Sequence, residues 1–215
     1  MNNGYVEMWD NWSKRRSSLP VYDLWLDEYK DILDKNNEIL DLGCGIGADT
    51  LYLLERGYKV LSCDFSHSAL KSIEDNIKGS KTLYLNMMDK FPIEDSKYSV
   101  VVADLSLHYF NDKTTKHIMM EIKRILKNNG VLLARVASVN DFNFGAGEGK
   151  KLEKNFYFEG AYTKRFFDLE DIYKYFGIIG KVEAKETSMT RAEEEYSKPK
   201  KLYQIKVEKG GNNDN

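Results

Sequence analysis

Residues 38–57 constrain the fold more than any other part of this sequence. A short apolar run at 38–42 leads directly into glycines at every second position, and a helix-forming segment follows until Gly57. Glycine permits the sharp turn that must follow a buried strand, and Gly57 can form the C-cap of the helix. The pattern predicts a strand, a glycine loop and a helix, which together open an α/β sheet.

The alternation of strands and helices continues along the chain. Four further strands are predicted, at residues 58–64, 82–85, 98–105 and 131–136. Helices that Ser66 and Asp168 can cap, and one that stops at Gly130, complete the alternation. Two extended segments at 178–187 and 201–207 have no helix between them, so they should pair as an antiparallel hairpin at the sheet edge. We predict an α/β fold with a Rossmann-like, mostly parallel seven-stranded sheet, helices on both faces and an antiparallel C-terminal hairpin.

A chain of 215 residues has room for one domain of this kind. We expect a single domain over residues 1–208, with an N-terminal cap segment at 1–36 and a disordered tail at 209–215. Helical spacing of apolar residues at 21–33 predicts an amphipathic helix within the cap segment. Residues 138–165 hold several aromatic residues and three closely spaced glycines but no regular period, so we expect a mobile surface loop that could act as a lid.

Charge and cysteine content exclude several classes of function. The net charge of −2 offers no positive field for nucleic acid or an anionic membrane. No apolar run approaches the roughly 20 residues that span a bilayer. Cys44 and Cys63 are too few for a disulfide framework or a four-ligand zinc site, and the first residues lack a signal-peptide pattern. We expect a cytoplasmic protein with no bound metal, no nucleic-acid partner and no membrane partner.

The glycine loop suits a nucleotide-like cofactor. Alternate glycines let the backbone approach a ligand closely, and amides at the start of the next helix face it. Asp64 ends the second predicted strand, where its carboxylate could accept hydrogen bonds from both hydroxyls of a ribose. Gly43, Gly45 and Ala48 also satisfy the spacing of dinucleotide-binding loops. The residues alone therefore leave a nicotinamide-dependent oxidoreductase open as an alternative.

Several short motifs occur in order between residues 37 and 136. They are the series Asp41, Gly43, Gly45 and Gly47, then VLSCDFS at 60–66, NMMD at 86–89, ADLSLHYF at 103–110 and NNGVLLAR at 128–135. Together they resemble the class I S-adenosylmethionine-dependent methyltransferases, and the first series matches every fixed position of that family's acidic-x-Gly-x-Gly-x-Gly motif. One departure is Asn-Asn-Gly in place of the usual Pro-Gly-Gly in the last motif. The likeness is greatest to small bacterial enzymes of the tellurite-resistance-like and ubiquinone-biosynthesis-like groups.

The resemblance implies S-adenosylmethionine as the cofactor. It implies that Gly43, Gly45 and Gly47 lie against the methionine part of that cofactor, with Asp41 supporting the loop. It also implies that Asp64 binds the ribose.

Two further stretches would complete the implied cofactor site. Asp89 would accept a hydrogen bond from the adenine amino group, while the backbone of Met88 approaches the ring. Asp104 and Leu105 would line the methionine side near the sulfonium. Because Met88 could equally fill the core and Asp89 could be an ordinary turn residue, both assignments depend on the resemblance.

Methyl transfer requires orientation more than a dedicated catalytic triad, because the cofactor already carries the activated group. His108 follows the fourth strand, and its near-neutral pKa would suit a general base, although a purely structural role is equally compatible with the sequence. Tyr109 could shape the pocket by stacking. The aromatic-rich flanks would fit a small, partly apolar acceptor, so a small-molecule acceptor is the expected partner. A non-catalytic cofactor-binding module remains the other alternative.

Overall fold

The computed structural model describes residues 10–11, 19–34, 37–189 and 198–211. The parallel strands are β1 (Glu38–Leu42), β2 (Lys59–Asp64), β3 (Thr82–Tyr84), β4 (Tyr98–Asp104) and β5 (Leu126–Ala137). The short strands β6 (Lys150–Glu153), β7 (Phe156–Phe158) and β8 (Thr163–Arg165) follow, and the long strands β9 (Gly180–Met189) and β10 (Lys200–Lys209) come last. The main sheet has seven strands in the order β3-β2-β1-β4-β5-β10-β9, with β10 antiparallel to both of its neighbours. The predicted fold is confirmed, including the hairpin at the sheet edge.

Three helices connect parallel strands, namely α1 (Ala48–Glu55), α2 (His67–Asn76) and α3 (Asp112–Ile125). A further helix, α4 (Leu169–Phe176), lies between β8 and β9. Ser66 and Asp168 cap α2 and α4 as predicted, because each side chain accepts a hydrogen bond from the backbone N–H three residues later. In the described ranges of the chain, no helix is long and apolar enough to cross a membrane.

The sheet is buried on both faces, which accounts for the nearly continuous apolar run in β4. Val101 and Ala103 point into one core, and Val100 and Val102 point into the other. Side chains alternate between the faces of a strand, so a central strand between two layers of helices must be apolar at every position. The carboxyl ends of β1, β2 and β4 consequently meet at one edge of the sheet.

Two predicted boundaries were wrong. The segment at 21–33 contains only a short 3-10 helix, Trp25–Tyr29, whose N-cap residue supplies no side-chain hydrogen bond. Its buried residues Trp25, Leu26, Tyr29 and Leu33 still have the spacing of one helical face, so the predicted one-sided burial is present although the helix is short. Strand β5 begins at Leu126, directly after α3, and a register shift opposite β4 accommodates the turn that contains Asn129 at φ 59°.

Residues 138–165 contain regular secondary structure that the sequence did not predict, while the mobility of this segment and its role as a lid stay predictions. A 3-10 helix, Phe142–Phe144, is followed by a separate antiparallel sheet in the order β6-β7-β8. Arg165 is buried, pairs with Glu153 at 2.6 Å and lies over the ring of buried Phe156. Of the predicted disordered tail, Lys209 belongs to β10, and residues 212–215 lie outside the described part of the chain.

Candidate functional site

The glycine loop between β1 and α1 lies where the parallel strands end. Gly43, Gly45 and Gly47 have φ values of 74°, 53° and 90°, in the left-handed region that favours glycine. The amides of Gly43 and Cys44 donate to the carbonyl of Cys63 at 2.7 and 3.0 Å. The loop is therefore tied to the end of β2 as well as to its own strand.

The three glycines do not face the same surroundings. A Cβ at Gly43 would lie 2.4 Å from Cβ of Ser106, and one at Gly47 would lie 2.7 Å from Cδ1 of Ile77. At Gly45, no atom of another described residue outside its chain neighbours lies within 4 Å of the same position. Gly43 and Gly47 thus permit close packing within the protein, whereas the surface over Gly45 is open to a ligand.

Asp64 joins the end of β2 to the glycine loop. Its Oδ2 accepts a hydrogen bond from the amide of Gly45 at 3.0 Å, and its Oδ1 accepts one from the amide of Ser66 at 2.9 Å. Burial raises the pKa of Asp64, and these amide donors oppose that rise. Each carboxylate oxygen has a second lone pair, so the group can still accept hydrogen bonds from a ligand hydroxyl.

The turn after β3 has the form expected of a tight Asn-initiated turn. The amide of Met88 donates to Oδ1 of Asn86 at 3.1 Å, and the amide of Asp89 donates to its carbonyl at 3.0 Å. Met88 and Asp89 are exposed, whereas Met87 is buried in the core. The turn therefore presents Met88 and Asp89 to solvent.

Asp104 forms an ion pair with Arg135, a residue that the sequence did not indicate as part of the site. Nε and Nη2 of Arg135 donate to the two carboxylate oxygens of Asp104 at 2.7 and 2.8 Å. Arg135 is 3% exposed, and its carbonyl accepts a hydrogen bond from the amide of Leu105, whose φ is 52°. The available signal was an arginine at the end of an otherwise apolar strand, where an unpaired charge would be costly.

The Arg135 side chain continues into the N-terminal segment. Its Nη1 donates to Oδ2 of Asp23 at 2.6 Å, and its guanidinium lies 4.7 Å from the ring centre of Trp25. Trp25 in turn donates from Nε1 to Oδ1 of Asp49 at 2.9 Å. Asp49 is in the first turn of α1, directly after the glycine loop, and its burial raises its pKa well above the usual value.

Asp41 lies beneath the loop. Its Oδ2 accepts a hydrogen bond from Oγ1 of Thr50 at 2.7 Å, and Oγ1 of Thr50 lies 2.7 Å from Oγ of Ser62. Burial raises the pKa of Asp41 to about 7. The three side chains connect β1, α1 and β2. In the described residues, no group of three or more His, Cys, Asp or Glu side chains could hold a metal ion.

His108 is fully enclosed beside the end of β5. Its Nδ1 accepts a hydrogen bond from the amide of Ala137 at 3.4 Å. Burial, followed by the positive charges of Lys164 and Lys200, lowers the pKa of His108 well below its usual value. A neutral imidazole of this kind is a weak proton acceptor, so the hypothesis of a general base at His108 finds no support in the structure.

Tyr109 links the site to the small sheet. Its carbonyl accepts a hydrogen bond from Oγ1 of Thr163 in β8 at 2.9 Å. Its ring packs edge-on against Tyr162, with ring centres 6.1 Å apart, and lies 4.4 Å from the ring centre of His108. Tyr109 is therefore placed to fix β8 against the end of β4, and a role in shaping the pocket stays a prediction.

Comparisons with known proteins agree with this arrangement. The family model described as a methyltransferase domain matches residues 39–130. The chain is 25% identical over 138 residues to a malonyl-[acyl-carrier protein] O-methyltransferase of Hamiltonella defensa, which covers 64% of this chain and 50% of that protein. It is 28% identical over 145 residues to a tRNA N(3)-cytidine methyltransferase of Danio rerio, which covers 62% of this chain and 41% of that protein. The chain thus spans half or less of the length of these two relatives.

A solved structure shares the fold. A methyltransferase from Methanosarcina mazei, described as S-adenosylmethionine-dependent, superposes with a TM-score of 0.70 at 20% identity, covering 87% of this chain and 99% of that one. The match over residues 39–130, the glycine loop and the shared fold together identify a methyltransferase domain of the class I, S-adenosylmethionine-dependent type, with S-adenosylmethionine as its cofactor. The nicotinamide-dependent oxidoreductase is therefore set aside.

Proposed function

We propose that this protein transfers a methyl group from S-adenosylmethionine to a small-molecule acceptor by direct in-line displacement. The observation that carries the proposal is the open surface over Gly45 next to the buried carboxylate of Asp64. A glycine with open space over its Cα, beside a carboxylate with spare lone pairs, fits a nucleoside with two ribose hydroxyls. The family match makes the nucleoside that of S-adenosylmethionine.

The order of the strands supports an orientation for the cofactor. Asp89 follows β3, Asp64 ends β2 and Asp104 ends β4, with β1 and the glycine loop between the last two. In the proposed site, Asp89 and the backbone of Met88 bind the adenine and Asp64 binds the ribose. The methionine part then lies over the glycine loop toward Asp104, and Asp41 supports that loop from below.

The protein's contribution to the reaction would be orientation and exclusion of water. When bound, S-adenosylmethionine supplies a methyl group on a positively charged sulfonium, which needs no covalent help from the protein. In the proposed site, the Asp104 carboxylate at the end of β4, held in place by Arg135, would lie on the side of the sulfonium. Because His108 is a weak base, we propose that the acceptor reacts through an atom that is already nucleophilic, or loses its proton to solvent.

The acceptor side supports a small molecule. The small sheet β6-β7-β8 follows β5 and contacts the end of β4 through Tyr109 and Thr163. Aromatic rings of Tyr109, Tyr162 and Tyr157 are half-buried in this region, which suits an enclosed, partly apolar ligand. One relative is named for tRNA, but the net charge of −2 disfavours a nucleic-acid acceptor here.

Single-turnover transfer from methyl-labelled S-adenosylmethionine tests the proposal directly. The purified protein is mixed with fractions of a small-metabolite extract, and label in a small product is measured together with S-adenosylhomocysteine. The variant Asp64→Asn should lose transfer through weaker cofactor binding, while Asp75→Asn on the exposed face of α2 should not. Cofactor binding without transfer to any fraction would favour the non-catalytic module, and label in added tRNA would overturn the small-molecule acceptor.

A further inference from the structure

We infer that Asp23 and Trp25 are positioning residues of the cofactor site. Neither residue belongs to the motifs of the domain, and both lie upstream of the matched region that begins at residue 39. Through Arg135 they fix the carboxylate of Asp104, and Trp25 holds the carboxylate of Asp49 directly; the proposed site places both carboxylates near the methionine part of the cofactor. The inference rests on the proposed function, since it takes the cofactor to extend from Asp64 toward Asp104.

The first connection runs through Arg135. The guanidinium uses Nε and Nη2 for Asp104 and Nη1 for Asp23, and it is almost completely buried. A bidentate pair fixes the plane of the Asp104 carboxylate, and the third contact fixes the guanidinium itself. Asp23 also accepts a long hydrogen bond from the amide of Trp25 through Oδ1, at 3.4 Å. Asp23 therefore ties the N-terminal segment to the orientation of Asp104.

The second connection runs through Trp25. Its indole covers the Arg135 guanidinium on one side and donates from Nε1 to Asp49. Buried Asp49 follows the glycine loop by two residues, at the N-terminal turn of α1. The Trp25 side chain thus contacts Arg135, which binds Asp104 at the end of β4, and also contacts Asp49 at the start of α1. Losing the indole N–H would release the Asp49 carboxylate, since Oδ1 accepts no other side-chain hydrogen bond from the described residues.

The same segment offers a matched control. Glu28, in the same 3-10 helix as Trp25, accepts hydrogen bonds from Lys185 at 2.6 Å and from Gln204 at 2.8 Å. These partners lie on β9 and β10, on the far side of β5 from the glycine loop. Glu28 and Asp23 therefore both anchor the N-terminal segment, but only Asp23 connects it to the candidate cofactor site.

Calorimetry with two ligands separates positioning from general loosening. Asp23→Asn and Trp25→Phe should each weaken binding of S-adenosylhomocysteine by roughly three- to tenfold, a range typical of residues that act through others. Binding of methylthioadenosine, which lacks the amino-acid part, should stay within about twofold, because Asp64 and the adenine turn are untouched. Glu28→Gln should leave both affinities unchanged. Urea unfolding of each variant shows that it is folded at the temperature of the binding measurement.

The outcomes are distinguishable from failure of the proposed function. If the unmodified protein binds neither ligand, the proposed cofactor site is wrong. If it binds both and Asp23→Asn and Trp25→Phe behave like Glu28→Gln, the positioning role is wrong while the site stands. Equal loss of both ligands in the folded variants would also overturn the inference, because it indicates a general loosening of the site.

Discussion

Gly43 and Gly47 are required by packing within the protein, whereas we expect Gly45 to be required by the ligand. Gly45→Ala should weaken S-adenosylhomocysteine binding by at least about tenfold, because the added Cβ projects into the open surface where we place the cofactor. It should also cost about 1 kcal/mol of unfolding free energy, since φ is 53° at this residue. Calorimetry and urea unfolding measure the two effects separately.

Gly79 provides the control for that experiment. It has φ of 83°, and among the described residues a Cβ there would also meet nothing within 4 Å, but it lies in the turn between α2 and β3. Gly79→Ala should therefore lose similar stability with unchanged affinity. Equal affinities for Gly45→Ala and the unmodified protein would mean that the loop does not contact the cofactor.

His108 should make the stability of the protein depend on pH. Its pKa in the folded state is lowered well below the unfolded value of 6.5, chiefly by burial. The folded state therefore favours the neutral ring, and the resulting stability is present above pH 6.5 and lost as the pH falls below it. Between pH 7.5 and 5, the loss should be on the order of 1–2 kcal/mol.

The variant His108→Asn isolates this contribution, because its amide oxygen can still accept the hydrogen bond from Ala137. The raised pKa values of Asp41, Asp49 and Asp64 act in the opposite direction over the same range, but they are common to both proteins. Urea unfolding at the two pH values should show the unmodified protein losing more stability than the variant. A parallel change in both proteins would show that His108 is not buried in its neutral form.

Secondary-structure elements were predicted best where residues close together in the sequence determine them and the tertiary structure imposes no different conformation. Caps at Ser66 and Asp168 and the two-sided burial of β4 are local signals, and each element occurs where the sequence predicted it. The small sheet was missed because its strands are three or four residues long, which is too short to establish a period. Arg135 was missed because its partners are distant in sequence, at Asp23 and Asp104.

The candidate site was predictable to the same extent. The glycine loop and Asp64 form a local motif, and the structure brings them together through the hydrogen bond between Gly45 and Asp64. The environment of His108 could not be read from its neighbours in the chain, because it depends on Ala137, Lys164 and Lys200. Sequence therefore located the strand ends but could not give the pKa of a group buried among later segments.

The segment 138–165 should exchange its amides in two distinct ways. Strands β7 and β8 are paired and enclose buried Phe156, so their amides should be protected in the free protein. Residues 142–149 contain three glycines with positive φ and begin at Phe142, which is 71% exposed. These residues should exchange quickly and become protected when S-adenosylhomocysteine and an acceptor are bound.

Hydrogen exchange followed by mass spectrometry resolves the two parts, with peptides from β4 as a protected internal reference. Slow exchange at 142–149 in the free protein, unchanged by ligand, would mean that the segment is a fixed wall. Fast exchange in β7 and β8 would mean that the whole segment moves as a lid.

At the scale of the whole molecule, ligand binding at the sheet edge should stabilise both cores together. Strands β1 and β4 contribute side chains to each core, with Ile39 and Val102 on one face and Leu40 and Val101 on the other. Because both cores pack against the same strands, neither core can stay packed when the sheet unfolds, and we expect a single cooperative unfolding transition. A ligand that binds only the folded state should then raise the midpoint of that one transition.

Thermal unfolding with two nucleotides therefore tests the assignment of the cofactor. S-adenosylhomocysteine at one hundred times its dissociation constant should add about 2.7 kcal/mol. For a domain of this length, that gain raises the midpoint by about 5–10 °C.

NAD⁺ at the same concentration should produce no shift, because a methyltransferase site at the carboxyl ends of the strands binds S-adenosylmethionine, whereas an oxidoreductase site there would bind NAD⁺. In Asp64→Asn, the shift with S-adenosylhomocysteine should shrink, since a carboxylate that binds a ribose contributes roughly 1.5–3 kcal/mol. A larger shift with NAD⁺ than with S-adenosylhomocysteine would favour a nicotinamide-dependent oxidoreductase and contradict S-adenosylmethionine as the cofactor.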